Sequence, residues 1–264
     1  MRAVSFPPLQ ETSRSGATSA GLLRGRMPRA AIGSLALGTM LLVGCQSLEM
    51  TPENVAHVRV IAASPDSPAM DFYAGGSALA YGVEFGSATS YVPLTPGAKV
   101  RLSATTASSA QTLVKGKAAF SANRQYTALV ANVAANLQET VYLDQTQPAG
   151  TGQADIRIID AATRAGLLDV YVIPAERSLT TTLPARVGVA LGASTGYIEQ
   201  PAGVYSIVVV PAGTVPVSST QPLLTGAQLN YPSGSVRTIV LVDKRDDTEQ
   251  KGISEIVAED YTPS

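Results

Sequence analysis

The 264-residue chain reads as an all-β protein: two tandem Ig-like antiparallel β-sandwiches behind an N-terminal leader. Three observations predict this. Short runs rich in Val, Thr and Tyr lie between turn residues, with 23 Gly and 17 Pro as punctuation. No stretch after the leader keeps a 3.6-residue apolar period over about a dozen residues, as an amphipathic helix would. The body also repeats itself, and repeats of roughly 100 residues have the size of one small domain.

The leader comes first. Arg24, Arg26 and Arg29 form a basic cluster, and Ala30 to Gly44, "AAIGSLALGTMLLVG", carries no charge. Those fifteen residues are short for a bilayer span, which takes about 20. They match the apolar core of an export signal. Residues 1–44 are therefore expected to be a signal peptide. The polar segment before Met27 is either an over-extended start, with Met27 the true one, or a long basic region.

"LVGC", Leu42 to Cys45, ends the leader and holds the only cysteine. It resembles the lipobox of bacterial lipoproteins. The resemblance implies that the Cys45 sulfur takes a diacylglyceryl group and that the chain is cut before Cys45. A thiolate is the strong side-chain nucleophile near neutral pH that such chemistry needs. Two or three acyl chains then anchor stably where one is marginal. Residues 45–54 form the lipidated tether. Gln46, rather than Asp, follows the Cys. By the rule of that family, in a cell with two membranes the protein goes to the outer membrane, facing the periplasm or the cell surface. The lipid bilayer, through acylated Cys45, is the first expected partner.

The body begins with repeat 1, residues 55–147. Val58-Arg59-Val60-Ile61 matches Ile156-Arg157-Ile158-Ile159 at an offset of 98, and Asp71-Phe72-Tyr73 matches Asp169-Val170-Tyr171 at the same offset. Phe85-Gly86 with Tyr91 matches Leu191-Gly192 with Tyr197. Gly97 in "TPGAKVRL" matches Gly203 in "PAGVYSIV", and "YTALVA" from Tyr126 matches "VRTIVL" from Val236. The offset drifts to 110, so repeat 2, residues 153–264, has longer loops. The seam "TQPAGTG" is short, which places the two units in contact. Within a unit the apolar period is two: Val58, Val60 and Ala62 point one way, His57, Arg59 and Ile61 the other. About seven strands per unit are expected.

"VRVIAASPDSPAMDFYAGG" followed by "VEFGSATSYVPLTPGAKVRL" resembles a bacterial envelope family, domain of unknown function 4397. Its members carry a motif like H-A-S-P-D-A-P-x-V-D-V-Y and later Y-x-x-L-x-x-G. Ser64, Pro65, Asp66, Pro68, Asp71, Tyr73, Tyr91, Leu94 and Gly97 match it, while Ala62-Ala63 stand where His-Ala is common. The second unit matches more loosely, through Asp169, Tyr171, Tyr197 and Gly203. The resemblance implies a fold and an envelope address, and no reaction.

The candidate chemistry is thin. "GASTG", Gly192 to Gly196, fits a Gly-x-Ser-x-Gly nucleophile elbow, but the only histidine is His57, far upstream in the other unit. Ser194 is therefore expected in a Gly-rich inter-strand turn. Asp66 and Asp71 are weak Ca²⁺ candidates, since Ca²⁺ takes several oxygen ligands. The favoured reading is structural, with Asp66 accepting hydrogen bonds from the residues just after it. Zinc needs Cys or His clusters that one His cannot supply. No catalytic residue, metal or cofactor is expected. Residues 45–264 carry 14 basic and 19 acidic side chains, which argues against nucleic acid. The expectation is a membrane-anchored cell-envelope lipoprotein with a non-catalytic binding or structural role, an envelope protein or glycan being the second partner. The alternative is an envelope hydrolase or a Ca-dependent glycan-binding protein.

Overall fold

The computed structural model describes residues 54–245 and 252–262. The expected signal peptide, Cys45 and the expected tether up to Glu53 lie outside the described residues. Among the described residues no helix is long and apolar enough to cross a membrane.

The all-β expectation holds. The first half runs β1 (Ala56–Ala62), β2 (Met70–Ala74), β3 (Ser77–Val83), β4 (Val92–Leu94), β5 (Gly97–Thr106), β6 (Thr112–Phe120), β7 (Gln125–Ala131) and β8 (Gln138–Asp144). The second runs β9 (Gln153–Ala161), β10 (Leu168–Pro174), β11 (Arg186–Val189), β12 (Ser194–Pro201), β13 (Gly203–Pro211), β14 (Leu224–Thr225), β15 (Leu229–Tyr231), β16 (Val236–Asp243) and β17 (Ile253–Tyr261). The halves thus hold eight and nine strands rather than about seven.

One strand order occurs twice. The first half pairs β4-β1-β7-β8 in one sheet and β3-β2-β5-β6 in another; the second pairs β12-β9-β16-β17 and β11-β10-β13-β14, with β15 also on β13. The pairing is antiparallel except at β1 with β7 and β9 with β16, which run parallel. That corrects the purely antiparallel expectation. A parallel pair needs a long crossover, and here the chain visits the second sheet between the two strands.

Period-two alternation assigns each strand face to a layer. Val58, Val60 and Ala62 of β1 pack inward against Phe72, Ala74, Leu102 and Ala104 of the partner sheet. Ile156 and Ile158 of β9 pack likewise against Val170, Ile207 and Val209. The opposite faces of β1 and β9 turn toward each other. Ile61 and Leu129 meet Ile159, Val240 and Val242 in a third core between the halves. Sheets covered on both faces read as near-continuous apolar runs. This is why β9, "QADIRIIDA", and β16, "VRTIVLVD", are buried almost throughout. Ile61 and Ile159 are both 0% exposed, and truncating such a side chain to Ala typically costs about 2–5 kcal/mol.

The drifting repeat offset has a visible cause. β2 and β3 are joined by Gly75-Gly76, both at positive φ, as a two-residue hairpin turn requires. Their counterparts β10 and β11 are joined by residues 175–185, which include a 3₁₀ turn at Leu179–Thr181. Leu179 packs on the outer face of its sheet, over Tyr171, Ile173, Val208 and Val210.

Where the two sheets of the first half meet at their edges, Gly116 of β6 lies against Glu139 of β8. A Cβ at Gly116 would come within 3.1 Å of the Glu139 carboxyl. Oε2 of Glu139 is buried and has no hydrogen-bond partner. Burial pushes its pKa up from 4.5 to about 7. A folded-state value above the unfolded one means that the contribution is fully present below about pH 4.5 and is lost as pH rises through 7. Glu139→Gln should therefore flatten the stability profile between those limits and raise stability at pH 8 by up to about 3 kcal/mol. Urea melts at pH 4.5, 6 and 8 read this directly; a variant that tracks the wild type at all three contradicts it.

Candidate functional site

The most unusual chemistry lies in the core between the halves. An Arg in the middle of an apolar strand must be paired when buried, because an uncompensated charge there is very costly. Arg59 of β1 is 1% exposed and Arg157 of β9 is 3% exposed. Each reaches across to the other half. Arg59 donates from Nη2 to Asp260 and from Nη1 to the Glu259 carbonyl at 2.9 Å. Arg157 donates from Nη2 to Asp144 and from Nη1 to the Leu143 carbonyl at 2.8 Å. The arrangement is reciprocal, with β8 of one half and β17 of the other supplying the carboxylates.

Each half completes the set with the same residue types. Arg59 Nε donates to Thr127 Oγ1 at 2.9 Å, and that hydroxyl donates to Asp144 Oδ2 at 2.7 Å. Arg157 Nε donates to Thr238 Oγ1 at 3.0 Å, and that hydroxyl donates to Asp260 Oδ2 at 2.6 Å. The Tyr91 hydroxyl donates to Asp144 at 2.7 Å and the Tyr197 hydroxyl to Asp260 at 2.5 Å. Tyr91 also offers its ring to Arg59, 4.9 Å from guanidinium carbon to centroid, and Tyr197 its ring to Arg157 at 4.8 Å. Two residues before each tyrosine, a threonine hydroxyl accepts from the strand it covers: Val60 N–H to Thr89 and Ile158 N–H to Thr195, both at 2.9 Å.

The electrostatics fit a structural cluster. Two positive and two negative groups balance, and the second-nearest ion pairs, Arg59–Asp144 and Arg157–Asp260, stand at 3.9 and 3.7 Å. Burial pushes the Tyr91 and Tyr197 phenols far above their ordinary range, so both remain donors. Burial also pushes the Asp260 carboxyl up, against the pull of Arg59 and Arg157. For Arg157, burial pulls the value down, but Asp144, Tyr197 and Asp260 outweigh it and keep the charge. These side chains are spent on one another, which leaves no free base or nucleophile among them.

The sequence motif residues sort into structural roles. Tyr91 and Tyr197 cap the cluster. Asp71 accepts from the Gly82 N–H at 2.8 Å, across the β2–β3 pair. Its counterpart Asp169 accepts from the Gly188 N–H at 2.8 Å and from the Gly213 N–H at 2.9 Å. Gly82 and Gly188 sit at φ +59° and +62° in irregular strand positions, where a side chain would be strained. Gly97 and Gly203 open β5 and β13, with Val100 and Tyr205 close against where a Cβ would stand. Tyr73 and Tyr171 part company: Tyr73 is half-buried beside Tyr81, while Tyr171 is covered.

Two local expectations are corrected. Asp66 does not bond to the residues after it. It accepts from Ser64 Oγ at 3.2 Å and from the Ala134 N–H at 2.8 Å, in the distant β7–β8 connection. The turn between Pro65 and Pro68 closes on the Ser64 carbonyl instead, which takes both the N–H and the hydroxyl of Ser67. Ser194 is not in the turn itself. It opens β12, after a turn at Leu191–Gly192, and its hydroxyl accepts from the Gly196 N–H at 3.3 Å across a register irregularity. A nucleophile elbow needs a strand-to-helix turn, and this is strand. Among the described residues no three His, Cys, Asp or Glu come together as metal ligands would.

Reasoning from sequence missed Arg59, Arg157, Asp144 and Asp260 as a set. The signal was present: an Arg at the same place in both "VRVI" and "IRII", inside apolar strands, demands a buried partner. Which carboxylates answer it depends on how the sheets stack.

A family model described as "Domain of unknown function (DUF4397)" matches residues 56–171. A DUF4397 domain is present. The match runs from β1 through β9 into β10, and so includes both arginines of the cluster. No curated protein matches the chain. Among solved structures, a leucine-rich repeat protein from Bacteroides thetaiotaomicron VPI-5482 is 14% identical over 70% of this chain, with a TM-score of 0.21. This chain spans only 26% of that protein's length. A second, described as a "putative cell adhesion protein" from Bacteroides fragilis NCTC 9343, is 11% identical over 79% of this chain and 99% of its own, with a TM-score of 0.18. Scores this low establish no shared fold.

Two predictions follow from the geometry of these carboxylates. Arg59→Met should cost about 3–5 kcal/mol, because it leaves Asp260 buried without its nearest cation. Adding Asp260→Asn should recover part of that loss, with a coupling energy of at least about 1 kcal/mol in a double-mutant cycle; strictly additive losses would show that the pair is not coupled. Asp169→Ala, which strands two glycine N–H groups, should cost about 2–3 kcal/mol, and Asp71→Ala no more than about 1 kcal/mol. Equal losses at the two positions would contradict the assignment.

Proposed function

We propose that this chain is a lipid-anchored cell-envelope protein, whose two halves are tandem copies of the same family unit and whose work is binding or support rather than catalysis. The carrying observation is the sequence Leu42-Val43-Gly44-Cys45 at the end of an uncharged stretch behind three arginines. The repeated strand order and the mirrored Arg–Asp pairs support the tandem reading. The division of labour follows from chain geometry. Ten residues, 46–55, separate Cys45 from the start of β1. Fully extended they reach at most about 35 Å, so the body stays close to the bilayer that holds the acyl chains. The junction between the halves favours presentation of a fixed surface. A hinge there would expose two ion pairs and the Ile61–Ile159 core at once.

The test is Cys45→Ser in the native host. The wild type should incorporate labelled fatty acid, shorten on processing and fractionate with membranes. The variant should do none of these. A variant that still labels and still shortens would show that Cys45 is not the anchor.

A further inference from the structure

The outer face of the β3-β2-β5-β6 sheet differs from its counterpart in the second half. There, Leu179 and its connection cover Tyr171, Ile173, Val208 and Val210. Here the two-residue Gly75-Gly76 turn provides no cover, and the face is open. A groove of about 700 Å³ crosses it, lined by Tyr73, Arg101, Ser103, Lys115 and Lys117. Lys99, one turn of the pleat before Arg101, is exposed on the same strand.

The charge on this face has no internal explanation. The body as a whole is acidic, with 14 basic against 19 acidic side chains in residues 45–264. Yet Lys99, Arg101, Lys115 and Lys117 make no ion pair with any carboxylate among the described residues. Arg101 stands directly opposite Lys117, and Ser103 directly opposite Lys115. Like charges at directly opposed positions destabilise a sheet. In the adjoining row Tyr73 stands opposite Ser103. Its ring meets Tyr81 edge-to-face at 6.2 Å, and Tyr81 is 70% exposed. The face therefore presents an edge-to-face pair of tyrosine rings beside a double row of unpaired cations.

We propose that this face docks an acidic polysaccharide bearing carboxylate groups. The inference rests on the binding role proposed above and names its ligand class. Exposed tyrosine rings stack on the C–H faces of sugar rings, and Arg and Lys pair with carboxylates. The spacing selects a sparsely charged polymer. Same-face cations along a strand lie about 7 Å apart, whereas duplex nucleic acid carries a charge every 1.7 Å or so.

The experiment uses the mature chain purified in detergent micelles, with polygalacturonate as the probe and dextran, an oligo-dT strand and phosphatidylglycerol vesicles as competitors. Polygalacturonate should bind, weaken with salt, and be displaced poorly by all three competitors. Lys115→Glu combined with Lys117→Glu should weaken binding about tenfold or more, and Arg177→Glu, on the other half, should leave it unchanged. Tyr73→Ala should weaken the binding that persists at high salt. Lys117→Glu alone should raise the melting temperature while weakening binding, because it replaces a like-charged pair by an opposite one. Equal affinity for dextran, equal affinity for oligo-dT or for the vesicles, or unchanged binding by the double variant each overturn the proposal. Anchoring is read separately: a chain that binds the glycan but fails the Cys45 test loses only its anchor assignment, and a chain that passes the Cys45 test but ignores the glycan loses only this inference.

Discussion

The rest of the molecule depends on the crossed pairing of Arg59 with Asp260 and Arg157 with Asp144. Four charges at 5% exposure or less would be ruinous alone. They are tolerable because every guanidinium meets a carboxylate, a threonine hydroxyl and a backbone carbonyl, and every carboxylate also meets a tyrosine hydroxyl. Such an arrangement contributes less to stability than to uniqueness. Sliding one half past the other by a single residue, about 3.3 Å along a strand, would carry each guanidinium out of hydrogen-bond reach of its carboxylate and leave buried charges poorly paired. The apolar contacts between Ile61 and Ile159 favour association; the ion pairs determine the one registry in which it occurs.

This constraint explains why the middle sheets and the outer sheets look so different. β1, β7, β9 and β16 face a sandwich core on one side and the other half on the other, so nearly every residue is buried. β5 and β6 cover a core on one side only, and their burial alternates. The inner layers are held by the cluster and cannot vary freely. The outer faces carry no such demand, and there the halves differ: one face is apolar and sheltered under Leu179, the other basic and bare. Variation confined to outer faces on a fixed inner scaffold is what a binding protein requires, since recognition can then change without disturbing the fold.

The tethering geometry adds a second constraint on the proposed reading. If Cys45 is acylated as proposed, a ten-residue connection would hold the body near the bilayer, and the packed junction would keep both halves together. Under that reading, a ligand taken up on the first half would be held at a distance from the membrane limited by the length of residues 46–55. Effective concentration near the surface follows from that length.

Much was legible in the chain itself. Alternation at period two separated the two faces of β1, Val58, Val60 and Ala62 from His57, Arg59 and Ile61, because the pleat enforces it locally. The recurrence of Asp71 at Asp169 and of Tyr91 at Tyr197 marked positions where each half repeats a contact. The drift in offset from 98 to 110 announced the longer β10–β11 connection. What the chain could not disclose are contacts between residues far apart in sequence. The pairs Arg157–Asp144 and Arg59–Asp260 join residues 13 and 201 positions apart across the junction, and no local pattern relates them. Asp66, between two prolines, carried every sign of a self-contained turn, yet it bonds to Ala134 because the β7–β8 connection happens to pass above it. The parallel pairing of β1 with β7, and the open cationic face of β5 and β6, are likewise products of stacking and coverage. Local sequence determines conformation and facing through sterics and the pleat; which surfaces meet, and which stay bare, is decided by the packing of whole sheets.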